Sequence, residues 1–144
     1  MSTRSKSRAW TSFLRNDGHW HMCGFGLWAI EPHSGAHMSG QAGFFYGMRG
    51  LGPDFDEWPE ASWVLDPDLH GQGLGLEAAR AMHDWFDRVV TGPLVCKLEP
   101  QNIASRRIAE YLGYKPMREA TWAGRASLLM SRKSPPGGSR NLLA

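Results

Sequence analysis

Gly71-Gln72-Gly73-Leu74-Gly75 sets three glycines at alternate positions just ahead of a helix-forming stretch in this 144-residue chain. Residues without a Cβ leave their N–H groups open to a ligand, and a helix starting there aims the positive end of its dipole at the same point. Such a loop suits a phosphate or pyrophosphate. Two common phosphate motifs fail on spacing. A Walker loop needs Lys followed by Ser or Thr after its last glycine, where this chain has Leu76-Glu77. A dinucleotide fingerprint needs its third glycine where Leu76 stands, one residue after Gly75. A tight strand-to-helix turn with no ligand is the plain alternative. His70, beside the loop, could help hold phosphate as a cationic imidazole. His19, His21 and Cys23 in "HWHMC" would share one face of a strand, as three zinc ligands might be arranged, but no fourth ligand stands nearby and Gly18 favours a loop. No metal site is expected.

The elements that must position these residues follow from periodicity and punctuation. Trp10, Phe13 and Leu14 recur at i, i+3, i+4, and Asp17-Gly18 stops the pattern, so a short helix is expected over Ser7–Asn16. Gly24–Glu31 and Gly40–Gly47 are expected as strands joined by the turn-rich "PHSGAHMS", with a loop carrying Asp54, Asp56 and Glu57 after them. "EASWVLD" forms a third strand leading into the glycine loop. Leu76, Ala79, Met82, Trp85, Phe86 and Val89 mark one face of a helix of about fifteen residues, ended by Thr91-Gly92-Pro93. "LVCKLE" is a short buried-type strand, and Asn102 opens a helix over Ile103–Leu112 that Gly113 closes. "YKPMRE" and "WAGRASLLMSRK" complete the strands. The strand-loop-helix-strand-helix order implies a mixed α/β sheet with at least one parallel pair. A single domain is expected over residues 1–133, with 134–144, rich in Pro, Gly and Ser, as a flexible tail.

Composition removes several function classes. Sixteen Lys and Arg against fourteen Asp and Glu is too balanced to argue for a nucleic-acid partner. No apolar run approaches the ~20 residues of a membrane helix, and "MSTRSKSRAW" lacks the apolar core of a signal peptide. Two cysteines, Cys23 and Cys96, make no disulfide framework and suit a reducing compartment, so a cytoplasmic location is expected.

With the other loops excluded, the chain resembles the GNAT family of N-acetyltransferases. That family's pyrophosphate loop is Gln/Arg-x-x-Gly-x-Gly/Ala; Gly73 and Gly75 take the two small positions, and His70 stands where Gln or Arg is usual. "PQNIASRRIAEYLGYK" is similar to a second family segment, with Asn102, Ser105, Gly113 and Tyr114 in step. The resemblance runs from about Trp20 to Lys133. Glu60, Trp63, Leu65 and Pro67 match the Glu-x-Gly-Trp-x-Leu-x-Pro run of the ribosomal-protein alanine acetyltransferase branch, with Ser62 in place of its glycine.

The resemblance implies a GNAT-like sheet, mostly antiparallel, whose central parallel strand pair splays to hold acetyl-CoA. It implies transfer of an acetyl group to a primary amine, either a protein N-terminal amine or a small amine. His70, Gly71, Gln72, Gly73, Leu74 and Gly75 would bind the pyrophosphate, and backbone N–H groups near Val64 and Leu65 would stabilise the oxyanion. Glu60 would accept the amine proton directly or through a water; the alternative is a strand-end surface carboxylate beside Trp58. The family's thiolate-protonating tyrosine falls at Ala109, and Tyr111 lies about 200° further round a helix. Ser105 is therefore expected to contact the thiolate and Asn102 the pantetheine, roles compatible with helix capping. The acidic loop around Asp54 could attract a cationic acceptor or be merely solvated. The family also has a strand and helix before the helix at Ser7–Asn16, so the resemblance implies an N-terminally shortened domain. Its open sheet edge would be covered by a longer chain, by a partner or by a second copy in a homodimer. The alternative function is a non-catalytic acyl-CoA-binding module left by loss of that part.

Overall fold

In a computed structural model of the chain, residues 6–31 and 39–133 are described. The elements run α1 (Lys6–Cys23), β1 (Leu27–Ile30), β2 (Gly40–Phe45), α2 (Pro53–Asp56), β3 (Glu60–Leu65), α3 (Leu74–Val89), β4 (Leu94–Leu98), α4 (Ile103–Tyr111), β5 (Lys115–Trp122) and β6 (Arg125–Arg132), with a 3-10 turn at Pro67–Leu69. One six-stranded sheet has the order β1-β2-β3-β4-β6-β5. All its neighbours are antiparallel except β3 and β4. The expected mixed α/β sheet with a central parallel pair is the observed fold. The expected tail and the "PHSGAHMS" connection lie mostly outside the described residues.

Strand alternation gives the sheet two unlike faces. Leu94, Cys96 and Leu98 of β4 join Phe44, Ala61, Met82, Phe86 and Ala109 in the larger core, which α3 and α4 cover. Val95 turns the other way, into a smaller cluster with Phe55 and Leu129. Lys97 therefore shares the Val95 face. Arg132, at the end of β6, clamps the helices to the sheet: its guanidinium donates to Asp87 of α3 at 3.0 and 2.6 Å and to the Leu112 carbonyl after α4 at 2.8 Å.

Three elements differ from the sequence expectation, each for a tertiary reason. Helix α1 does not stop at Asn16 but continues through Gly18 to Cys23. A mid-helix glycine costs only about 1 kcal/mol, and bonds to the next segment hold the final turns. The Asn16 side chain both accepts from and donates to the Leu27 backbone, the Trp20 indole donates to Leu27 O, and His19 Nε2 accepts from Tyr46 N–H. Trp20 can approach because Gly26 has no side chain; a Cβ there would stand 2.5 Å from the indole. The helix also splits the "HWHMC" trio. Residues two apart face ~200° apart, so His21 turns away from the inward His19, and Cys23, the last residue of the helix, is exposed.

A short helix, α2, stands where a loop was expected, opened by Pro53. Its Asp56 Oδ2 accepts from Leu51 N at 2.9 Å. "WAGR", expected inside a strand, is instead a hairpin turn. Ala123 (φ 53°) and Gly124 (φ 76°) are both left-handed, and Trp122 pairs with Arg125 across them, as in a two-residue primed turn. The usual signal, Asn-Gly, is absent, which hides the turn from inspection of the sequence.

Candidate active site

The site grows from the place where β3 and β4 part. Their parallel pairing covers only Glu60–Val95 and Ala61–Cys96. Beyond it the strands diverge around a cleft of about 340 Å³, lined by Ala61 to Val64 on one side and Cys96 to Glu99 on the other, with Asn102, Ser105, Trp122, Arg125 and Ser127. The lining includes residues from both faces of the sheet, so the cleft passes through it.

Strand chemistry decides which peptide groups face this gap. Pro59 O accepts from Val95 N of β4, whereas Asp66 N donates to Ser39 O just ahead of β2. By alternation the odd residues of β3 turn their peptides to β4 and the even ones to β2. Leu65 N–H thus faces the gap, as does that of Trp63, which the sequence matched to a family run without giving it a site role. Val64 N–H turns to β2, and what Val64 offers the cleft is its half-exposed side chain.

The glycine loop follows the end of β3 in the chain, and His70 to Gly75 are not among the residues lining the cleft. Gly71 (φ 81°) and Gly73 (φ 76°) are both left-handed, and a Cβ on either would meet nothing within 4 Å. The loop is therefore open to a ligand, not packed shut. Gly73 is the N-cap of α3, and no side chain caps the helix. The first intrahelical bond is Glu77 N to Gly73 O, so the N–H groups of Leu74, Gly75 and Leu76 have no partner in the helix ladder. Gly75 packs under the loop, its Cβ position 3.4 Å from Ile108 Cδ1. His70 is exposed, and its Nε2–H donates to the Leu65 carbonyl at 3.1 Å, tying the loop to the end of β3. The Gln72 side chain donates to Asp68 O at 3.4 Å.

On the far side Asn102 caps α4, its Oδ1 accepting from Ser105 N at 3.1 Å, and both residues also line the cleft. Capping and site roles coexist. Ala109 is fully buried in the core, and Tyr111 is exposed under the Arg80 guanidinium. Helix α4 ends in a Schellman arrangement, with Gly113 N donating to Glu110 O and Tyr114 N to Ala109 O. That turn drives Tyr114 into the core, where its hydroxyl donates to His83 Nε2 at 2.7 Å while His83 Nδ1–H donates to Ala79 O at 2.7 Å. Trp63, a wall of the cleft, packs on both rings. Burial pushes the His83 pKa down to about 4, against the pull of its Ala79 bond, so the imidazole is neutral. Burial likewise pushes the Cys96 thiol far up, with the nearby Glu60 carboxylate adding to it, and this residue of the cleft lining stays protonated.

Glu60 differs most from expectation. Its side chain is 4% exposed and is not among the residues lining the cleft. Arg49 Nε and Nη2 donate to its two oxygens at 2.8 and 2.9 Å. A carboxylate chelated in this way braces its partner, and Glu60 stands behind the cleft wall instead of in it. It is equally not the surface residue of the alternative reading. Arg49 in turn stacks 4.4 Å over the Trp122 ring, so the pair holds the loop after β2 against the β5–β6 hairpin. Asp54 does not attract a ligand as a lone charge either; Arg118 donates to both its oxygens, at 3.0 and 2.8 Å.

The residues missed from sequence are Ser62, Trp63, Lys97, Trp122 and Arg125. Lys97 carried a signal, as the one charge inside the apolar strand "LVCKL". Trp122 and Arg125 arrive through the unrecognised hairpin turn.

Comparison with known proteins agrees with this geometry. Residues 1–115 match a family model described as an acetyltransferase (GNAT) domain. A GNAT-family acetyltransferase from Bordetella pertussis is 34% identical and superposes with a TM-score of 0.84, over 90% of this chain and 78% of that one. The fold is shared, at 19% identity and a TM-score of 0.69, with yncA of Salmonella typhimurium, whose structure holds acetyl-CoA; the match covers 99% of this chain and 81% of that one. It is also shared with a ribosomal-protein-S5-alanine acetyltransferase from Vibrio fischeri, at 16% identity and a TM-score of 0.72, over 96% and 80% of the two chains. Among the described residues no helix is long and apolar enough to cross a membrane. By its matched family model and its closely superposing relative, this chain belongs to the GNAT acetyltransferase family.

Proposed function

We propose that the chain is an acetyl-CoA-dependent N-acetyltransferase acting on a primary amine. One observation carries the reading: an open, uncapped glycine loop at a helix start follows a strand that parts from its parallel neighbour around a cleft reaching both sheet faces. Bound acetyl-CoA would supply a thioester carbonyl and a sulfur leaving group. Gly71 to Gly75 and the first turn of α3 would hold its pyrophosphate, with His70 at the loop's edge. The Asn102 side chain would bind the pantetheine amide through Nδ2, its oxygen being occupied by the cap. Leu65 and Trp63 N–H groups would stabilise the oxyanion, and the Ser105 hydroxyl would contact the departing sulfur. With Glu60 chelated, an α-amino group (pKa ~8) needs less help in losing its proton than a lysine side chain at ~10.4. This favours the α-amines of small molecules or protein N-termini as acceptors. The Trp63, Leu65 and Pro67 match to the alanine acetyltransferase branch supports the same class. The non-catalytic module is the weaker reading, because the cleft continues past Asn102 to the other face of the sheet.

The test is thermal unfolding with and without acetyl-CoA, with ATP and NAD as controls. A ligand at 100 times its Kd stabilises by ~2.7 kcal/mol, so a shift specific to acetyl-CoA is expected; no shift would overturn the loop assignment. Gly73→Ala should cost the fold only ~1 kcal/mol, for a left-handed alanine, because the space is empty. It should weaken acetyl-CoA about tenfold, or ~1.4 kcal/mol, because the Cβ stands where the pyrophosphate would lie. Gly92→Ala, at another open left-handed position after α3, should leave the ligand-induced shift intact. Equal shifts in the two variants would show that Gly73 serves the turn alone.

A further inference from the structure

The face of the sheet opposite α3 and α4 is where an acceptor would meet the thioester, and its charges are unequal. Around the cleft on that face stand Arg49, Lys97 and Arg125 against Glu60 and Glu99. Arg49 is spent on Glu60, and Arg125 Nη2 meets Glu99 Oε2 at 2.5 Å. That leaves Lys97 as the cation with no carboxylate partner among the described residues. Its stem rises from a buried strand and its ammonium lies 4.9 Å from the centre of the Trp122 ring, in the cleft lining. A half-buried ammonium packed on an aromatic face, with no carboxylate in ion-pair contact, has lost water that the ring does not fully replace. Desolvation lowers its pKa, with the Arg49 charge adding to the effect and the Glu60 and Glu99 carboxylates opposing it. Further along the face Asp54 is taken by Arg118.

We propose that the acceptor amine carries a carboxylate, which Lys97 binds with the Ser62 and Ser127 hydroxyls of the cleft close by. This rests on the acetyl-transfer reading and narrows it, from any primary amine to amines of the amino-acid type. Lys97 sits on β4 at the level where β3 has already diverged, so a carboxylate held there leaves the neighbouring amine at the mouth of the gap. A polyamine or other purely cationic acceptor would meet Lys97 and Arg125 as like charges. A protein N-terminus, whose first carboxyl is an amide, would lack the anion unless its side chain supplied one.

The test uses the full chain, acetyl-CoA and acceptors in matched sets: an α-amino acid, its carboxamide, and the amine lacking the carboxyl group, for an apolar, an aromatic and an acidic side chain. CoA release gives kcat/KM for each. The acid is expected to exceed its neutral partners by tenfold or more, chiefly through KM. Lys97→Met should collapse that ratio towards one, and Lys97→Arg should largely preserve it; thermal unfolding of both variants establishes that they fold. Equal rates within each set, a preference that survives in Lys97→Met, or turnover of neutral amines alone would each overturn the proposal. Failure of the acetyl-transfer reading itself looks different: the wild-type chain would then release no CoA in excess of enzyme with any amine of any set, whether or not acetyl-CoA shifts its unfolding.

Discussion

Replacing Glu60 by Gln is expected to cost about 3 kcal/mol of folding stability, read as a drop in the urea midpoint at unchanged slope. The figure follows from what the substitution leaves behind. Arg49 is 15% exposed and Glu60 4%, so removing the carboxylate charge strands a guanidinium that water reaches poorly. Breaking one side of a buried pair is far more costly than the pair's own net contribution. Replacing both, as Arg49→Met with Glu60→Leu, should recover much of the loss, because no uncompensated charge remains. A surface carboxylate would lose at most ~0.5 kcal/mol on the same change, so a Glu60→Gln loss in that range would refute the bracing role. The brace also bears on the site. Arg49 stacks on Trp122, and Trp122 supports Lys97, so the variant should raise the acceptor KM more than it changes acetyl-CoA binding.

The second large effect is a pH dependence of stability from His83. Its folded pKa of about 4 lies below the usual 6.5, chiefly through desolvation. Between those values the unfolded chain binds a proton that the folded chain refuses, so acid favours unfolding. The contribution is fully present above pH 6.5, falls as the pH drops towards 4, and levels off below that. At ~1.36 kcal/mol per pKa unit the total loss is about 3 kcal/mol. Carboxylate titration overlaps this window, so the decisive quantity is a difference. His83→Gln keeps an acceptor for the Tyr114 hydroxyl but does not titrate. Urea unfolding between pH 7 and 4 should therefore fall less steeply in the variant than in the wild type, and parallel curves would refute the assignment. Because Trp63 packs on both His83 and Tyr114, protonation would also loosen one wall of the cleft.

Much of the glycine loop and of helix α4 could be read from sequence because their physics is local. Gly71 and Gly73 adopt left-handed conformations within the turn they define, and Asn102 caps the amide three residues on. Gly113 closes α4 by bonds that span five residues or fewer. Such interactions depend on neighbours in the chain, and spacing is enough to find them. The parallel β3–β4 pair was also legible, since a strand-helix-strand order returns the second strand in the same direction.

The acceptor half was not legible, because its partners are set by register and packing between distant segments. The sequence places Glu60 at the start of a strand but cannot show that Arg49, eleven residues earlier, folds back onto it. Nor can it show that the hairpin at Ala123-Gly124 swings Trp122 across β4 to meet both Arg49 and Lys97. A one-residue shift of register would turn Glu60 and Lys97 to the opposite face. Helix α1 outran its own stop signal for a related reason: its last turns are held by bonds to Leu27 and Tyr46, not by local propensity. By itself, then, the sequence determined where an open glycine turn meets a helix start and in what order strands and helices follow. The tertiary structure alone decided which charges are spent on one another, because two side chains can neutralise each other only once the sheet has brought them within bonding distance.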